Sequence, residues 1–84
     1  MPVMILSNKE REFLKTKYGL SPRELDIVAL LLEGVESKKA LGEKLGISPL
    51  TVGTLINRVF NKMQVHSKLS VVVEVVDTIL PLRV

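Results

Sequence analysis

The chain has 84 residues, the size of one domain, with 12 basic and 9 acidic side chains and a net charge of +3. An apolar fraction of 46% excludes a disordered tail, and the absence of cysteine excludes a disulfide scaffold, a thiolate-held metal and a thiol nucleophile. With Phe13, Tyr18 and Phe60 as the only aromatic residues, the core must be aliphatic, and so small a domain without covalent staples is expected to gain burial by oligomerising.

The apolar opening from Val3 to Leu6 is too short for the h-region of a secretory signal, which needs about 7–15 apolar residues. Two capping boxes follow, Ser7-Asn-Lys-Glu10 and Ser21-Pro-Arg-Glu24, in which a serine oxygen takes the amide three residues on and the glutamate reaches back to the serine amide. Pro22 stands at the first helical position, where its missing N–H is harmless. Gly19 and Gly34 stand where helix ends favour a left-handed backbone. Helices are therefore predicted over Asn8 to Tyr18 and over Pro22 to Glu33, the second carrying Leu25, Val28, Leu31 and Leu32 at helical spacing, with Ile27 and Leu30 widening the stripe.

A shorter helix is predicted from Ser37 to Leu45, then a tight turn at Gly46-Ile47 and a second N-cap with proline at Ser48-Pro49. Beyond it Val52, Ile56, Val59, Phe60 and Met63 share one face, and Thr51, Thr54, Asn57, Arg58, Asn61 and Lys62 face outward. Two short helices joined through a glycine turn form a helix-turn-helix candidate. The predicted core is Leu25, Val28, Leu31, Leu41, Leu45, Ile47, Val52, Ile56 and Val59.

Val71 to Val76 is rich in β-branched residues, which favours a strand by propensity. Val72, Val75, Val76, Ile79 and Leu80 nevertheless fit a helical template that runs further than any alternation, so helix is favoured over strand. Because Val71 and Val73 extend the apolar surface beyond one stripe, this helix needs burial on two sides, one of them a second copy of the chain. Leu69 to Leu82 is the most apolar stretch, but Ser70, Glu74, Asp77, Thr78 and Pro81 interrupt it, and nothing approaches the roughly 18 apolar residues of a membrane span. The chain reads as soluble and cytoplasmic, with no membrane partner.

Charge is concentrated in the middle third. Residues 1–36 and 69–84 each carry a net −1, whereas Ser37 to Lys68 holds Lys38, Lys39, Lys44, Arg58, Lys62 and Lys68 against Glu43 alone, net +5. A basic patch on a two-helix motif attracts phosphates and releases their counterions, the main source of sequence-independent nucleic-acid affinity.

From Leu20 to Lys68 the chain resembles the LuxR/FixJ/GerE-type helix-turn-helix DNA-binding domain. The resemblance is carried by Leu20-Ser-Pro-Arg-Glu24, Glu33-Gly34, Lys44-Leu-Gly-Ile-Ser48, Thr51-Val52, Lys62-Met63 with Val65, and Ser67-Lys68. It implies an all-α fold, a four-helix LuxR-type domain over residues 20–84 ending in a dimerisation helix, with residues 1–19 forming a short extra N-terminal helix. It further implies a small stand-alone homodimeric transcription regulator whose partner is double-stranded DNA, with RNA polymerase or another regulator as further candidate partners. By transfer from the family, Gly53, Thr54 and Asn57 face base edges, where Asn57 suits adenine and the Thr54 methyl suits thymine. Ser48, Thr51, Arg58, Lys62, Lys38 and Lys39 are candidates for phosphate contact, and Val71, Val72, Val75, Val76 and Ile79 for the dimer interface.

Two positions depart from the family's T-V-K-x-H, which reads Thr51-Val-Gly-Thr-Leu55 here. Glycine inside a helix costs about 0.8–1 kcal/mol relative to alanine, so Gly53 requires a reason. Gly42 stands where the family carries a small alanine, a change expected to be tolerated. The alternative function is a protein–protein module, adaptor or anti-regulator, that keeps the fold without base readout. A third, the promoter-binding region of a sigma factor, is disfavoured by the Lys62-Met63 close and the valine-rich end. His66 is a lone turn histidine with no second ligand near in sequence, and no nucleophile elbow, paired acids or phosphate loop appears. No catalytic residue, metal or cofactor is expected.

Overall fold

The computed structural model describes residues 4–83, so residues 1–3 and 84 of the two expected units lie outside it. Each α-helix begins on a serine, and for four of the five the sequence marks it. Helix α1 (Asn8–Tyr18) starts at Ser7 and α2 (Pro22–Leu32) at Ser21, both with the complete capping box. Helix α3 (Lys38–Leu45) starts at Ser37, α4 (Pro49–Met63) at Ser48 and α5 (Lys68–Ile79) at Ser67, and a 3₁₀ turn over Leu80–Arg83 follows. No strand occurs among the described residues. The β-branched run is helical, as its longer period predicts.

Helix α2 is the central strut, burying Ile27, Val28 and Leu32 completely and contacting each of the other four helices. Leu14 of α1, Leu41 of α3, Val52 and Val59 of α4, and Val71, Val75 and Ile79 of α5 close the same aliphatic core. Of the predicted core, Leu45 and Ile47 only pack partly buried against its edge. The extra helix α1 is integral to this core, because Leu14 is fully buried and the Tyr18 hydroxyl reaches Glu74 (3.0 Å) and Thr78 (3.1 Å) on α5.

Both capping-box glutamates are buried, and each is met by a cation from far along the chain. The Arg83 guanidinium donates to both Glu10 oxygens (2.6 and 2.7 Å) and to the Ile5 carbonyl (2.7 Å). With Arg83 as the main cause and the Ser7 amide next, the Glu10 carboxyl is held down to about 2 from its ordinary 4.5.

The expected dimer residues require correction. Val71, Val75 and Ile79 recur every four residues on the face that packs into the protomer's own core and are fully buried there. They are closed to a second copy. Val72 and Val76 are half-buried, and the apolar side chains that α5 and the turn after it expose are Leu69 (72%), Val73 (50%) and Leu80 (50%). The apolar band predicted to need a second partner is present, but rotated around the helix from its expected centre.

Candidate nucleic-acid interface

The α3–turn–α4 unit is fixed by backbone chemistry. Gly46 closes α3 in the left-handed region (φ 68°), and the Gly42 carbonyl accepts from the amides of Gly46 and, at 3.0 Å, Ile47. Gly42 is the point of closest approach, because a Cβ there would lie 2.6 Å from the Ile47 carbonyl oxygen. The change from alanine, expected to be tolerated, is therefore a requirement of this turn as built. Ser48 then starts α4, its hydroxyl accepting from the Thr51 amide (3.1 Å) and lying 3.0 Å from the Thr51 hydroxyl.

Helix α4 buries Val52, Leu55, Ile56, Val59 and Met63 and presents the opposite face to solvent. Thr51, Thr54, Asn57, Arg58, Asn61 and Lys62 are all exposed, and Gly53 is half-buried. Residues 50, 53, 54, 57, 58 and 61 form one continuous strip, since positions three and four apart are neighbours on a helix. The Thr54 hydroxyl turns back toward the Leu50 carbonyl (3.4 Å). Leu55, at the position where the family carries histidine, belongs to the core. Sequence periodicity missed it because Val52, Ile56 and Val59 already account for a stripe. Leu50, 83% exposed at the head of the strip, was also missed. Its signal is an isolated leucine on an otherwise polar face.

The cations divide into two groups. Lys62 has an intramolecular role, donating to Glu24 (2.6 Å) and to the Gly19 carbonyl (3.0 Å). Burial alone would raise the Glu24 carboxyl, but the Lys62 ammonium and the Ser21 amide outweigh it and hold the group below the usual carboxylate range. This geometry makes Lys62 the tie between the end of α4 and the start of α2. Lys68 likewise donates to the Glu36 carbonyl (2.7 Å). Lys38, Lys39, Lys44 and Arg58 form no ion pair among the described residues.

Among the described residues there is no cluster of His, Asp and Glu able to hold a metal ion, and no helix is long and apolar enough to cross a membrane. A capped helix pair, a glycine turn and an unpaired polar face on the second helix define the helix-turn-helix class. Residues 18–75, more than half of the chain, match the family described as bacterial regulatory proteins, luxR family. The chain belongs to that family, and with it to the DNA-binding transcription regulators. No curated protein and no solved structure matches it.

Proposed function

We propose that this protein is a cytoplasmic, sequence-specific transcription regulator that binds double-stranded DNA as a homodimer, with α4 in the major groove. The observation that carries this reading is the exposed strip of α4 flanked by Lys38, Lys39 and Arg58, none of which forms an ion pair among the described residues. Thr54 and Asn57 face base edges in this reading, with Leu50 adding an apolar contact suited to a thymine methyl. Ser48, Thr51, Lys38, Lys39 and Arg58 meet phosphates, which orient the protein without specifying sequence. The second copy docks on the band of Leu69, Val72, Val73, Val76 and Leu80, and a twofold pair presents its two reading helices about 34 Å apart.

Enrichment of duplexes from a random pool tests the whole reading. The expected product is an inverted repeat with half-sites about 10 base pairs between centres. Arg58→Ala should weaken binding to every duplex alike, and Asn57→Ala should relax preference at one position by about 1–3 kcal/mol. A pool that shows no enrichment and no retention at low salt would overturn it.

The exposed Leu50 favours a second reading, in which the same face of α4 docks on another regulator or on RNA polymerase. In that case Leu50→Ala abolishes capture of the protein partner, and duplex binding is absent from the outset.

A further inference from the structure

Gly53 is a helix-interior glycine whose φ is ordinary, so no turn or left-handed backbone explains it. Within 4 Å, a Cβ built on Gly53 would meet only the side chain of Lys38, with the ammonium nitrogen at 3.4 Å and Cε at 3.6 Å. Lys38 opens α3, the helix before the turn, and its side chain therefore crosses to α4 and rests on the bare backbone there. The charged end thus reaches the strip at Gly53, the residue before Thr54 and one turn before Asn57. No carboxylate pairs with this ammonium among the described residues.

We propose that Gly53 is a seat rather than a base contact, and that it positions the Lys38 ammonium on the reading face of α4 as a binding site for a DNA backbone phosphate. The inference rests on the DNA-binding reading above and deepens it. A lysine already laid across the helix loses less freedom on meeting its phosphate than one waving in solvent. An ammonium is also a point charge without directional preference, which suits a phosphate oxygen better than a base edge.

The test is the salt dependence of binding to a random-sequence duplex by four proteins: wild type, Lys38→Ala, Gly53→Lys and the double variant. Both positions lie at the surface of helices, and thermal melts followed by circular dichroism check that all four fold. Lys38→Ala should flatten the slope of log K against log salt by about 0.9, the share of one phosphate. Gly53→Lys in that background should restore the slope, because its own ammonium takes over the vacated place. In the presence of Lys38 the same substitution should add well under one phosphate, since two cations then compete for one position. An unchanged slope in Lys38→Ala overturns the proposal, as does an equal gain from Gly53→Lys in both backgrounds, the mark of independent charges. A changed base preference at one position with an unaltered slope overturns the phosphate assignment. Failure of the wild type to bind at low salt overturns the DNA reading itself and this site with it.

Discussion

The Lys62 ammonium lies 2.6 Å from a carboxylate oxygen of Glu24, and that same oxygen accepts the Ser21 amide. One atom thus closes the cap of α2 and anchors the last turn of α4. The reading helix is thereby fixed to the core at the end opposite the turn.

Removing this tie should cost stability rather than DNA affinity. Glu24 is only 1% exposed, so Lys62→Met strands a buried charge. The full penalty for breaking a buried pair is about 3–5 kcal/mol, and because the lysine is more than a third exposed, about 1–3 kcal/mol is expected. Urea denaturation measures it. The salt slope of duplex binding should stay that of the wild type, and a slope reduced by about one phosphate would return Lys62 to the DNA contacts.

The two faces of α5 should respond differently to substitution. Val73→Glu and Leu69→Glu place charge on the exposed band and should yield monomers in sedimentation without loss of fold. Val71→Ala, inside the protomer, should leave the assembly unchanged and lower its stability by about 1–3 kcal/mol. A wild-type mass retained by Val73→Glu would move the interface elsewhere.

The same substitution should have opposite signs at two glycines. At Gly42 an alanine Cβ meets a backbone oxygen that cannot swing aside, and destabilisation of about 1–3 kcal/mol is expected. At Gly53 it meets only the movable end of Lys38, and the gain in helix propensity should stabilise by up to about 1 kcal/mol. Thermal melts of the two variants decide both.

Acid should unfold the protein partly through Glu10. Its folded-state pKa, about 2, lies below the ordinary 4.5. The unfolded chain therefore takes up the proton first, and the stabilisation is fully present above about 4.5 and lost as pH falls toward 2. Arg83→Gln should lower the melting temperature at neutral pH and flatten its fall over that window. An identical acid profile in both proteins would show that the clasp does not hold in solution.

The helices and their starts were legible because serine, proline and glycine act locally, within one turn of backbone. The outward face of α4 was legible too, since its polar and apolar positions are cleanly segregated. The facing of α5 was not. Its valines cover more than one stripe beside the polar positions 70, 74, 77 and 78, and packing against its neighbours in the fold, chiefly α2, selects Val71, Val75 and Ile79 for the core. The intramolecular partner of Lys62 and the resting place of Lys38 on Gly53 were not legible for a related reason. Charge counts assign a lysine to the surface, but what its long side chain reaches depends on the neighbouring helix. Gly42 differs again, because its constraint is a contact with a carbonyl five residues away that only the folded turn creates.

The Arg83 clasp also joins two stretches of the described residues that are far apart in sequence. By gripping Glu10 and the Ile5 carbonyl, it brings the head and tail of the described chain to one corner of the molecule. A backbone joined there by a short bridge and reopened in the Glu33–Glu36 loop would thread through the same five helices in a new order. Recovery of the same fold by such a protein would separate the order in which the helices are synthesised from the shape they reach.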